Sequence, residues 1–576
     1  MYSQSNNNLY NVYTNITYFY SHLKMLSCRY RSGRSYKKPF TRKDSTVEKK
    51  TIYYVSDKEG NDNNAGTSKE YPLRTLAAAE KKKLYPGDEI RLECGSVFSR
   101  QALHLNVQGT RQAPIVIGNY GDGSKPVIQC EGTGIWYQNY GQPLDAHTHV
   151  WKGYVSSAIF LYDCEYVRVE GLEITNDGLY AGEQYSQGDR LNRTGVSVIA
   201  QNRGTLHEIE LSDLYIHDVK GNVYDKHLNN GGIYCSALKP ENEKSGIARF
   251  DGLFIHDCKV ENCSRWGIAA GYTYTHSFFT TLELPDEIVK TYGHERVHIY
   301  QNFVKSIGGD GITPMYAFCP LVEYNVAEDT ANEINDEIYT EAGERGGKTA
   351  AAIWPWKCKN ALFQYNEAYH TCDNQDGQAW DADSGDGTVY RYNYSYNNAG
   401  GCVMFCEGES VNNEFCYNIS MLDGGGVINP AHNPDAHIHH NTFILGNGVP
   451  FIRDNMSGGQ MVVEQNIICN VDPQARQEDW YHQIPHAVYR NNLYCNFKNL
   501  PDGDIKGSLC EEVLLKNPLC GPRTTNGKVH KKEWFEGFVP TKPCVLNSEE
   551  NIETKEDFLG RQAKWNIPGA CTWEEN

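Results

Sequence analysis

The feature that most constrains this chain is an asparagine that returns at nearly fixed intervals. A run of alternating apolar residues, then Asn, then a Gly-rich turn and a second apolar run recurs through its later half. The asparagines fall at Asn302, Asn325, Asn366, Asn393, Asn418, Asn441, Asn466 and Asn491, with gaps of 23, 41, 27, 25, 23, 25 and 25 residues. Upstream, VRVEG (167–171), IELSD (209–213) and LFIHD (253–257) read as earlier coils carrying longer insertions. Side-chain amides at equivalent turns can hydrogen-bond from coil to coil, which makes such a ladder a stacking device. A period near 25 residues with short strands suits one turn of a right-handed parallel β-helix. It is too short for propeller blades and lacks both the helices of α-solenoids and the LxxLxL of leucine-rich repeats. The expected fold is therefore all-β: a right-handed parallel β-helix.

The organisation follows from where the repeat is absent. Residues 1–51 are Asn- and Tyr-rich, then basic, without periodicity, and read as a disordered extension. Residues 52–130 read as an N-terminal cap and first coils, with strands near 52–55, 89–92 and 115–117 and a helix over 73–82. Residues 131–500 form the β-helix with loop insertions, and 501–576 a loop-rich C-terminal cap. Insertions at 177–193, 272–295 and 330–348 stand where long loops would wall a groove. The net charge of −18 argues against nucleic acid and anionic membranes as partners. Nineteen cysteines without a CxxC pair read as reduced, buried thiols rather than a disulfide framework.

The densest acidic run is HTCDNQDGQAWDADSGDG, from His370 to Gly387. On a strand, Trp380 and Ala382 face one side while Asp381 and Asp383 face the other. Paired aspartates on a buried strand cost solvation energy, which points to catalysis or metal binding. Aligning Gly377 with Gly401 stacks Asp381 on Phe405 and Asp383 on Glu407, and turns Cys402, Met404 and Cys406 inward. Asp381 and Asp383 would then lie about 6.6 Å apart at Cα, and Asp383 and Glu407 about 4.8 Å. Asp381, Asp383 and Glu407 are the candidate catalytic set for glycoside cleavage, which needs two carboxyl groups at such spacings. A turn-capping or structural calcium role is the alternative. On the preceding coil Trp354 and Trp356 are either sugar platforms or core; Asn429 and His432, on a later coil, complete the candidate substrate-binding set. His437 and His439 share a face that reads as solvated, since two histidines alone do not make a zinc site. Asp310, in GGDGIT, reads as a turn former.

Three stretches carry a family resemblance. The opening YYVS…GNDNNAGTS…YPLRTL…PGDEI, the Asn-marked coils, and the ending EDFLG…IPGACTWEE resemble the right-handed β-helix carbohydrate-active enzymes of the pectate-lyase-like superfamily. The resemblance implies a polysaccharide bound along the helix groove, a monomer, and an extracellular or periplasmic location, although no signal peptide is visible. NQDGQAWDADSG is similar to the calcium motif Asp-Asp-Gly-Phe-Asp of one group of pectate lyases, with Asp376 and Asp381 at matching positions. Gln375 stands where that motif has its first Asp, and the next coils carry no lysine base. A glycoside hydrolase that requires no cofactor is therefore the favoured expectation. A Ca2+-dependent uronate lyase, with Asp376 and Asp381 as metal ligands, and a non-catalytic glycan-binding adhesin are the alternatives.

Overall fold

Stacked columns of identical position, rather than a single layered core, hold this protein together. The computed structural model describes residues 50–144, 150–178, 191–280, 282–334, 349–406, 410–432, 434–446, 448–472, 486–501, 503–504, 506–510, 512, 514–544, 556–563 and 565–573. The expected N-terminal extension, nearly all of it, most of the insertions at 177–193 and 330–348, and Glu407 lie outside the described residues.

Three parallel sheets wind around one interior. The first runs through fourteen successive strands, from Ile52–Val55 to Ala487–Arg490, and the second from Val97–Ser99 to Ser508–Cys510. The third comes in two parts: seven strands including Lys152–Tyr162 and Ile312–Pro314, then Gln378–Asp383, Gly401–Cys406 and Ile428–Asn429. Single bridges from Ile312 to Ile353 and from Ile353 to Trp380 join the two parts. Between these named strands, pairing is parallel everywhere except in the hairpin of Ile135–Asn139 with Lys152–Tyr162.

The interior is built by period-2 alternation. Leu211, Ile255, Ile299, Val322, Phe363, Tyr390, Phe415, Ile438, Val463 and Tyr489 occupy one register column in successive coils, each buried. Each such side chain contributes about 1.5–3 kcal/mol by leaving water. The asparagine ladder runs beside this column. The side-chain oxygen of each Asn accepts both the backbone and the side-chain N–H of the preceding one, at 3.0 Å from Asn302 to Asn325 and at 2.8 and 3.1 Å from Asn418 to Asn441.

The ladder ends differently from the sequence expectation. Asn466 donates to Asn492, not Asn491, and Asn492 donates to Asp504. The residue before each ladder Asn adopts a left-handed conformation, as Tyr365, Tyr392, Tyr417 and Gln465 do, and Asn491 (φ 53°) is that residue in its coil. Adjacent asparagines hide this offset in the sequence. The caps also sharpen the expectation. The helix is Leu76–Glu80, shorter than 73–82, because the amide of Leu73 still pairs with Tyr54 and the Thr75 side chain caps the first turn. Leu76 and Ala79 close the open end of the interior. At the other end, the amide of Ala570 donates to the Thr442 hydroxyl and that of Gly569 to the Gln465 carbonyl, docking the closing segment on the second sheet. All described cysteines except the disulfide-bonded Cys319 are free thiols.

Candidate active site

The third sheet narrows to three strands where the acidic run enters it, and its outer face there carries the carboxylates. Trp380 and Ala382 fill the interior, so Asp381 and Asp383 point outward, as alternation requires. The cross-coil register differs from the one expected. Trp380 pairs with Val403, Asp381 with Met404, and Asp383 with Cys406. Gly401 pairs with Gln378, one residue later than the glycine match expected, and Cys402 and Val403 both donate their amides to the Val427 carbonyl. Cys402, Val403 and Phe405 therefore face inward, while Met404 and Cys406 join the aspartates outside.

Oxygens of Asp381 and Asp383 and the sulfur of Cys406 lie within 4.8 Å of one another. Asp381 is 3% exposed and Asp383 8%. One oxygen of Asp381 has no hydrogen-bond partner, whereas Asp383 accepts from the Ser384 hydroxyl at 2.7 Å. Burial first, then the carboxylates of Asp383 and Asp376, raise Asp381 well above the ordinary carboxylate range. Asp376 is partly exposed, and burial together with Asp310 pushes it up to about 6 against the pull of Lys226. Three carboxyl groups thus share one surface, with their protonation pushed upward by burial and mutual repulsion.

The preceding coil supplies the wall. Trp356 bridges to Asp383 in register and stays partly exposed; its indole N–H donates to the Tyr316 hydroxyl at 2.8 Å. Trp354 is buried, stacked with Trp266 at 6.2 Å, and its indole donates to Asp310 at 3.0 Å. Asp310 is not merely a turn former. It is fully buried, pairs with the equally buried Arg265 at 2.6 Å, and lies 3.8 Å from Lys226. Lys226 stands over the Trp354 ring at 5.0 Å. On the other side, Asn429 pairs with Met404, two coils from Asp381, and accepts from Asn455 at 2.7 Å. His432 is exposed and contacts the next coil through its carbonyl.

The chain is similar to known enzymes. It is 37% identical to the lacto-N-biosidase of Bifidobacterium longum subsp. longum over 579 residues, an alignment covering 90% of this chain and 36% of that protein. It is 58% identical to the GH136 lacto-N-biosidase from Eubacterium ramulus. The native crystal structure of that enzyme matches with a TM-score of 0.71 over 72% of this chain and 67% of that one, and its selenomethionine derivative matches equally well. The chain belongs to glycoside hydrolase family GH136. It spans about a third of the length of the Bifidobacterium relative and two thirds of the Eubacterium one. No family model matches the sequence.

In this GH136 chain, three site residues escaped sequence reasoning. Lys226 and Arg265 arrive from coils more than a hundred residues upstream, on segments with no motif of their own. Asp386 follows the acidic strand and forms a buried ion pair with Lys359. Its signal was visible, since it is the last of five aspartates in the same run.

Proposed function

We propose that this chain hydrolyses a glycosidic bond of a glycan lying against the outer face of the third sheet, and that its substrate, like that of its relatives, carries a lacto-N-biose unit. The observation that supports this most is the set Asp376, Asp381 and Asp383 on one strand and its lead-in, in a chain 58% identical to a lacto-N-biosidase. Asp376 is the carboxyl most open to solvent of the three, and a value near 6 keeps it protonated in mildly acidic solution. It donates the proton to the departing glycosidic oxygen as the C1–O bond breaks. Asp383, steadied by Ser384, offers its carboxylate to the positive charge growing at the anomeric carbon, and water then adds to that carbon, its proton passing to the Asp376 carboxylate. Asp381, beneath both, is held in its protonated form by burial and by its two neighbours, so it adds no further negative charge beside Asp383. Trp356 supplies an aromatic face beside Asp383 for a sugar ring. Asn429 and His432 extend the binding surface along the coils. The reading requires no cofactor, has a glycan as partner and a monomer as the working state, and keeps the likeness to the pectate-lyase-like superfamily as its fold lineage.

The test is product analysis. Purified protein is incubated with an oligosaccharide ending in lacto-N-biose, with and without chelator, and products are followed by chromatography and ultraviolet absorbance. Release of the intact disaccharide, unaffected by chelator, is expected. An unsaturated uronyl product from an acidic glycan would point to elimination instead, and tight glycan retention without turnover to a binding protein.

A further inference from the structure

A second cluster of reactive side chains lies on the outer face of the first sheet, away from the aspartates. Glu414 and Cys416 project from the strand Asn413–Cys416, and His437 and His439 from Asp435–His439, with Cys416 opposite His439 and Glu414 opposite His437. Phe415 and Ile438 between them face the interior. A carboxylate oxygen of Glu414, the Cys416 sulfur and a ring nitrogen of His439 lie within 4.8 Å of one another. The face is not solvated, as the sequence pattern had suggested. Trp565, from the closing segment, covers it at 5.1 Å from the His439 ring and 4.7 Å from that of His440.

The hydrogen bonds fix the orientation of the imidazoles. His440 Nε2 meets the Trp565 carbonyl at 2.9 Å, and a carbonyl only accepts, so this nitrogen carries a proton. His440 Nδ1 meets His439 Nδ1, also at 2.9 Å. His440 is fully buried, its partners being a carbonyl and another imidazole. In the ring that carries its one proton on Nε2, Nδ1 accepts, and His439 Nδ1 is the donor. His439 is buried as well, and its Nε2 lies 3.0 Å from a Glu414 carboxylate oxygen. A carboxylate oxygen, a thiol and a ring nitrogen brought together on one covered face form a donor set for a cation. The outer-shell bond from Nδ1–H to a fixed acceptor is what orients a metal-binding histidine.

We propose that Glu414, Cys416 and His439 bind a borderline-soft divalent transition metal, zinc being the best match to one sulfur, one nitrogen and one oxygen donor. Binding requires the Cys416 thiolate, so one proton leaves the protein for each metal taken up. Because His439 is linked through His440 to the Trp565 carbonyl, the metal also ties the closing segment to the first sheet.

The test uses the full chain, stripped with chelator, dialysed, and titrated with Zn2+ and separately with Co2+. One equivalent of zinc by elemental analysis is expected, with release of one proton. Cobalt should give a thiolate charge-transfer band in the near ultraviolet. Cys416→Ser should abolish the band and lower zinc affinity at least tenfold, and Glu414→Gln, at a less buried position, should weaken binding while the protein stays folded by circular dichroism. Zinc should raise the melting temperature of the parent protein and not of Cys416→Ser. Equal zinc binding by the parent and Glu414→Gln, a cobalt spectrum without the thiolate band, or no uptake by the folded parent would each overturn the site. None of these readouts depends on glycosidase activity.

Discussion

Replacing Asn418 with Ala probes the device that stacks the coils. Its side-chain oxygen accepts the backbone and side-chain N–H of Asn393, both at 3.0 Å, and its side-chain nitrogen donates to the carbonyl of Tyr390 at 3.0 Å and to Asn441 at 3.1 Å. All four bonds are buried, and an alanine removes them while leaving their partners away from water. At about 0.5–1.5 kcal/mol net per bond, the loss centres on about 4 kcal/mol. Asn491 provides the contrast, because its side-chain oxygen has no partner and its backbone is left-handed. Asn491→Gly should cost under about 1 kcal/mol, since glycine accepts that conformation without strain. Denaturant midpoints give the comparison, and hydrogen exchange at the Asn393 amide localises it, since that amide loses its acceptor. Equal costs for the two variants, or unchanged exchange at Asn393, would refute the stacking argument.

Three further outcomes follow from the site. Asp310→Ala strands the buried Arg265 guanidinium and removes the acceptor of the Trp354 indole, so it should destabilise by about 3–5 kcal/mol and alter tryptophan fluorescence. A thermal transition and spectrum like those of the parent would contradict this. Asp381 holds its proton more tightly when folded than when unfolded, so its contribution to stability is fullest below its ordinary value of 3.8 and declines as pH rises. Asp381→Asn should therefore match the parent near pH 3 and melt higher at pH 8; a gap independent of pH would contradict the assignment. With Asp376 as proton donor, turnover should fall as pH rises through about 6, and a flat profile from pH 5 to 8 would exclude that role.

The fold was largely legible because its determinants are local and repeated. Alternating apolar residues set the inward column, and one amide per coil marked the turn. The error at Asn491 arose where the left-handed residue before the ladder position is itself an asparagine. The orientation of Asp381 and Asp383 was legible for the same reason, since alternation holds within one strand. Their neighbours were not, because Gly401 pairs with Gln378 rather than with Gly377, and matching two glycines gave the register a false anchor. Lys226, Arg265 and Asp310 show the other limit. Their pairing depends on which coils the insertions bring together, and a buried ion pair between residues 45 apart leaves no periodic trace.

The central claim, that the aspartates at 376 and 383 carry out glycoside hydrolysis on this face, is most directly tested by steady-state turnover of an aryl lacto-N-bioside. The parent protein is compared with Asp376→Asn and Asp383→Asn, all verified as folded. Release of the aryl group by the parent and a loss of at least about 10²-fold in kcat for each variant is the expected result. Parent-like kcat in both folded variants would contradict it.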